Sequence, residues 1–229
     1  MTAFACIATR NEEATIGPLV EYLVALDLRV IVEDESDLPI TAVAAQHAGA
    51  EAHWTPGTQR TGLGPSLMRA WRRALQEGAS AIVQLDAGGS HRAEDAARVL
   101  ESLPGHNAII GSRFCQGGVY IGNPRRAWAS RLAGQMCTRR ALARGWGASY
   151  RWGLPYDWTS GLRAFTPTTA RWLLCGEYRF CGHAWQIDTL ARLLRDRAAV
   201  SEVPITYTAG RSSLRLRGAW EAFKAWRTL

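Results

Sequence analysis

The stretch Ala81-Ile82-Val83-Gln84-Leu85-Asp86-Ala87-Gly88-Gly89-Ser90-His91 decides how the rest of the chain is read. Its first five residues make an apolar run of strand length, followed by small turn-forming residues. Asp86 closes that run, so a carboxylate stands where a buried strand gives way to a flexible turn. In open α/β sheets, ligands bind in the crevice beyond the carboxyl ends of the strands. Small residues beside an acid there let a diphosphate or a metal approach the backbone. Asp34 ends the run Val30-Ile31-Val32-Glu33 in the same fashion.

Outward from these two acids, the first half alternates short β-type runs with amphipathic helical stretches. Strands are expected at residues 4–9, 29–33, 50–53, 81–86 and 107–111, with helices over 15–26, 40–47, 65–77 and 92–103. That alternation predicts βαβ units and a Rossmann-like, mostly parallel sheet flanked by helices. The second half is less regular and rich in arginine and tryptophan. Helices are expected over 124–144, 183–195 and 216–229, and one strand over 199–207. No internal repeat or Pro/Ser linker divides the chain. With 229 residues and 47% hydrophobic content, one domain spanning 1–229 can bury a real core.

Five cysteines without a CxxC pair fit a reduced compartment better than a disulfide framework or a zinc site. No basic leader precedes an apolar stretch, and no run approaches the roughly 20 apolar residues needed to cross a bilayer. The expectation is a soluble, cytoplasmic protein. The formal charge is +7, and Lys224 is the only lysine, so arginine carries the basic balance. Arginine's planar fork suits phosphate, although a GC-rich genome favours arginine codons equally well. No recognised nucleic-acid motif accompanies the charge, which argues against a nucleic-acid partner.

The order of motifs resembles the inverting family 2 GT-A glycosyltransferases, specifically the dolichol-phosphate or polyprenol-phosphate mannose (glucose) synthases. The resemblance covers most of the chain. Ile7-Ala8-Thr9-Arg10-Asn11-Glu12 is similar to that family's I-P-T-Y-N-E, and Val32-Glu33-Asp34-Glu35-Ser36 to V-D-D-G-S. Arg60-Thr61-Gly62-Leu63-Gly64 matches R-x-G-L-G, and Ile110-Gly111-Ser112-Arg113-Phe114 resembles I-G-S-R-Y. The stretch from Val83 to His91 resembles V-Q-M-D-A-D-L-S-H, with Gly88 in place of the second acid. Downstream, Asp157 to Phe165 resembles D-x-T-S-G-F-R-A-F, Trp185-Gln186-Ile187-Asp188 resembles F-Q-V-E, and Glu202-Val203-Pro204-Ile205 resembles E-V-P-I.

The resemblance implies a donor half over residues 1–115 and an acceptor half over 116–229. It places a nucleoside-diphosphate sugar, a GDP- or UDP-sugar, against Thr9, Asn11, Glu12 and Asp34, whose polar groups suit a base or ribose. Arg60 with Gly62 and Gly64 opens a helix, where free N–H groups and a guanidinium favour an anion. Asp86, Ala87 and Gly88 form the diphosphate turn, with Asp86 the principal ligand of a Mg2+ or Mn2+ ion and Ser90 a further position. Because Gly88 supplies no carboxylate, arginines are the alternative counter-charge: Arg113, Arg125, Arg126 and Arg131. Ser112 and Arg113 would lie beside the donor phosphate or sugar.

On the acceptor side the candidates are His91, Trp158, Ser160, Trp185, Gln186, Arg211 and Arg215. Trp152 is a second stacking candidate beside Trp158, and packing is an equal role for His91. Glu94 and Asp95 follow in the first turn of a helix, where acids belong in any case. A polyprenyl phosphate acceptor needs no strong base, whereas a small soluble hydroxyl or ring nitrogen does, and Asp188, then Asp157, are the candidates. A noncatalytic nucleotide-sugar-binding protein is the reading from another class. The closing helix, with Leu216, Trp220 and Phe223 on one stripe among Arg217, Lys224 and Arg227, either packs on the domain or rests on an anionic membrane surface. That second role would make the protein peripheral to the inner membrane.

Overall fold

The computed structural model describes residues 2–146, 157–210 and 216–229, without the side chains of 216–220 and 222. The strands are β1 (Ala3–Thr9), β2 (Arg29–Asp34), β3 (Glu51–Trp54), β4 (Ala81–Asp86), β5 (Ala108–Ser112), β6 (Val119–Ile121), β7 (Arg163–Phe165), β8 (Val200–Pro204) and β9 (Thr206–Thr208). The helices are α1 (Glu13–Ala25), α2 (Ile40–His47), α3 (Leu63–Gln76), α4 (Ala93–Glu101), α5 (Pro124–Ala143), α6 (Pro167–Leu174), α7 (Trp185–Arg195) and α8 (Leu216–Thr228).

Seven strands form one sheet in the order β3-β2-β1-β4-β7-β5-β8, all parallel except β7. Successive β1 side chains point to opposite faces: Phe4 and Cys6 join the layer of α3, α6 and α7, whereas Ala5 and Ile7 join that of α1, α2 and α4. Both faces of the sheet are buried, so β1 and β4 read as near-continuous apolar runs. The first layer is built on Trp71, Trp158, Trp185 and Phe165, with the Trp71 ring 4.9 Å from Phe165 and 5.4 Å from Trp185.

Four features differ from the sequence expectation. Residues 199–207 make two strands, because Pro204 has no N–H to continue a ladder and Ile205 turns to donate to the Ser112 carbonyl. The first piece extends the large sheet through β5, and the second pairs with β6 in a two-stranded ribbon. Strand β7 is only three residues long, and β6 and α6 also lie in segments without a sustained period. The register that matters for function sets Thr9 beside Asp34 and Ala8 beside Asp86. Both strand-end acids therefore stand on the carboxyl edge of the sheet.

Candidate active site

Asp86 leads into a turn enclosed on two sides by glycines. A Cβ on Gly161 would lie 2.6 Å from Asp86 Oδ1, so the loop before β7 approaches the carboxylate only because residue 161 has no side chain. On the other side the chain leaves β1 through Asn11, whose φ of 54° turns it into α1, and presents Glu12. A Cβ on Gly88 would lie 3.1 Å from Glu12 Oε1. The buried His91 ring sets Nδ1 3.6 Å from Asp86 Oδ2 and 3.3 Å from the Asp86 backbone nitrogen. Burial pushes the His91 pKa down.

The far wall comes from β9. Tyr207 bridges to His91 and rings it at 5.3 Å, Thr208 N–H donates to the Ser90 carbonyl, and Gly210 packs over Gly88 and Ser90. Three buried polar atoms around this turn have no partner among the described residues: Thr9 Oγ1, Ser160 Oγ and His91 Nε2. Buried polar groups usually have partners, so these atoms are available to a polar ligand.

Arg113 and Asp157 form the dominant buried ion pair. Arg113 Nη2 and Nε lie 2.5 and 2.7 Å from the two Asp157 oxygens, and the Arg113 backbone N–H donates to the same carboxylate at 3.0 Å. Burial works against the guanidinium charge, but Asp157 outweighs it and holds the Arg113 pKa above its ordinary value. Tyr207 covers the guanidinium at 5.0 Å. Arg163, fully buried, donates to the carbonyls of Trp158, Ser160 and Gln186 and to Thr189, which pins the 158–160 loop to α7. Burial pulls its pKa down to about 9.

Several expected site residues have other tasks. Asp34 is buried, and its oxygens accept from Ser36 N–H, Ser36 hydroxyl and Ala42 N–H, so it caps α2 and braces the next turn. Burial raises its pKa. Asn11 ties its amide to Asp37, and Ser112 Oγ accepts from the N–H groups of Phe114 and Cys115. At the start of α3, Glu35 takes the Thr61 and Gly62 N–H groups, and Gly64 N–H donates to Cys181. Burial would raise Glu35, but those bonds and Arg69 outweigh it and hold its pKa at about 2. Gly62 has a φ of 102°, and a Cβ on Gly64 would strike Trp185 at 2.6 Å, so both glycines serve backbone shape and packing. The exposed Arg60 is what this segment offers an anion.

Trp158 and Trp185 are core residues rather than stacking platforms. Trp158 is 0% exposed with its indole N–H on Thr138, and Trp185 packs on Trp71 and Tyr178. Gln186 is buried against Gln84. Asp188 lies in the first turn of α7 and accepts from the Arg179 N–H, and burial raises its pKa. Arg131 is exposed on α5. Trp152, Arg211 and Arg215 lie outside the described residues. Sequence reasoning missed Gly161, Arg163 and Tyr207, although Gly161 and Arg163 sit inside the family-like T-S-G-L-R-A-F run.

No group of three or more His, Cys, Asp or Glu side chains forms a metal cage among the described residues. An ion of the Mg2+ or Mn2+ kind does not need one, since it is commonly held by one or two carboxylates, phosphate oxygens and retained water. Asp86 at the open turn, with the Glu12 carboxylate against Gly88, is a donor set of that kind, so the residues present fit such an ion.

A sheet of this order with one antiparallel strand, and an acid turn at its carboxyl edge, is a GT-A nucleotide-sugar transferase fold. Mannosyl-3-phosphoglycerate synthase from Rubrobacter xylanophilus has this fold, with a TM-score of 0.66 at 19% identity over 100% of this chain and 73% of that one. No protein-family model matches the chain. It is 30% identical over 215 residues to the undecaprenyl-phosphate mannosyltransferase of Micrococcus luteus, covering 90% of this chain and 84% of that relative. It is 29% identical over 183 residues to the polyprenol monophosphomannose synthase of Mycolicibacterium smegmatis, covering 78% of this chain and 66% of that relative. The chain belongs to the polyprenol-phosphate mannose synthase group of family 2 GT-A glycosyltransferases.

Proposed function

We propose that the chain transfers a mannosyl group, with inversion, from a nucleoside-diphosphate sugar to a polyprenyl phosphate. GDP-mannose is the first donor to test, with UDP-sugars as the comparison. The donor diphosphate lies along the Asp86–Ser90 turn, where Gly88, Gly161 and Gly210 leave room and Thr9, Ser160 and His91 offer unpartnered polar atoms. A divalent ion at Asp86 would supply the charge that a departing diphosphate requires. The acceptor oxygen attacks the anomeric carbon in line as the bond to the diphosphate breaks, and no covalent enzyme intermediate forms.

The observation that carries the choice of acceptor is the state of the two candidate bases. Asp157 is filled by Arg113, and Asp188 is tied to the Arg179 N–H on the 175–184 connection. A hydroxyl or ring-nitrogen acceptor must lose a proton, and it finds Asp157 filled on both oxygens and Asp188 bonded through one. A phosphate oxygen is already anionic and needs no base.

A lipid acceptor also requires a membrane-facing side, for which we assign α5. Trp128, Leu132 and Met136 share one exposed stripe at helical spacing, Trp128 being 67% exposed, and the exposed Arg125, Arg131 and Arg139 flank it. No helix among the described residues is long and apolar enough to cross a membrane, so this contact would be peripheral. Helix α8 instead packs into the core through Ala225, and Leu229 just after it is also buried, with Trp226 donating to the Met136 carbonyl. The test is incubation with GDP-mannose and undecaprenyl phosphate in detergent micelles, followed by chromatography of the lipid fraction. Lipid-linked mannose is the expected product. Transfer to soluble hydroxylated acceptors with none to lipid phosphate would overturn the reading.

A further inference from the structure

We infer that Glu12 supplies, from the start of α1, the second metal-ligating carboxylate that Gly88 lacks. This rests on the proposed donor site at Asp86 and specifies how that site holds its ion.

A second acid two residues after Asp86 would grow from the Cβ of residue 88. That Cβ position lies 3.1 Å from Glu12 Oε1 and 3.6 Å from Glu12 Oε2, so the Glu12 carboxylate already occupies the space into which such a side chain would extend. The arrangement is built by the backbone. Ala8 pairs with Asp86 across β1 and β4, and the left-handed residue Asn11 then swings Glu12 back over the 87–89 turn. Glu12 N–H is fixed by Thr41 Oγ1 at 3.2 Å, and the Glu12 carbonyl accepts the first N–H groups of α1. The side chain is less committed. Oε2 takes one bond from Thr15 Oγ1 at 3.2 Å, and Oε1, the atom nearest Gly88, has no partner among the described residues.

Charge points the same way. The turn that is to receive a diphosphate carries two carboxylates, Asp86 and Glu12. Among the described residues, Arg113 on the facing wall is paired with Asp157. His91 is buried beside Asp86. Anionic phosphates would be repelled from such a place unless a divalent cation bridged them to the acids. An aspartate at 88 would meet the Glu12 carboxylate at contact distance, so the two acids would compete for one place.

The test is Mn2+ binding measured by the electron paramagnetic resonance signal of the free ion, with the full chain, in the absence and presence of GDP or UDP. The Glu12→Gln variant keeps the size of the side chain and the Thr15 contact. It is expected to weaken Mn2+ binding about tenfold or more, while its melting temperature stays within about 2 °C of the unaltered chain. The double variant Glu12→Ala with Gly88→Asp is expected to regain most of the loss, because removing the side chain of residue 12 leaves its space to a carboxylate on residue 88. Unchanged Mn2+ affinity in Glu12→Gln, or no recovery in the double variant, overturns the inference. Asp86→Ala separates the two levels. If it abolishes Mn2+ binding while Glu12→Gln does nothing, the donor site stands and Glu12 is not a ligand. If it too is silent, the donor site itself is misplaced.

Discussion

Substituting Gly161 by alanine changes one methyl group and should remove most of the transferase activity. The added Cβ would lie 2.6 Å from Asp86 Oδ1 and 3.0 Å from both Cγ and Oδ2, whereas ordinary contact begins at 3.4 Å. The whole carboxylate must therefore retreat by about 0.8 Å. Asp86 has room to do so, since its side chain is 33% exposed. The strain of an off-rotamer side chain is about 1 kcal/mol, which in a domain of this size lowers Tm by only about 2–4 °C. Displacement of a reacting geometry by close to 1 Å costs about a hundredfold in rate, or about 2.7 kcal/mol of barrier. The assay is kcat/KM for lipid-linked product alongside a thermal melt. A near-normal melt with a loss of about two orders of magnitude is expected. Activity within threefold of the unaltered chain would refute the placement of Asp86 at the reacting centre.

Three further outcomes follow from the same contacts. Asp157→Asn strips the counter-charge from buried Arg113 and should cost about 3–5 kcal/mol in urea unfolding, whereas replacing both partners by apolar residues should restore much of the loss. Glu35, held at about 2 against an ordinary 4.5, contributes about 3 kcal/mol that is fully present above pH 4.5 and is lost as the pH falls through 2. Unfolding free energies at pH 5 and pH 3 should differ by about 2 kcal/mol less in Glu35→Gln than in the unaltered chain. Trp128→Asp should reduce flotation with phosphatidylglycerol vesicles about tenfold or more while leaving the melt unchanged, because the indole it removes is exposed.

The sheet and the acid turn were legible because both rest on local pattern. Six-residue strands with apolar centres, β2 and β4, end in Asp34 and Asp86, and helical periods separate them. The motifs carried the order of elements further than periodicity did. Roles were less legible than positions, since a role depends on what the fold brings within 3 Å. Asp34 and Asp86 look alike in sequence, yet the N–H of Ala42 reaches only Asp34 and turns it into a helix cap. The glycines of the R-x-G-L-G run announce an anion site, but Glu35, 27 residues before Gly62, already holds the N–H group. Asp157 reads as a base until Arg113, 44 residues away, is found in its oxygens. Strand β7 escaped because three residues carry no period, and it is this strand that brings Gly161 against Asp86.

Under the proposed function, the donor diphosphate and its ion sit on the turn that Asp86 opens. Crystals soaked with Mn2+ and GDP-mannose test it directly through the anomalous signal of the ion. A manganese peak is expected about 2.0–2.3 Å from an Asp86 carboxylate oxygen, with the diphosphate lying over Gly88. A nucleotide bound with its diphosphate elsewhere, or manganese on acids remote from Asp86, would contradict it.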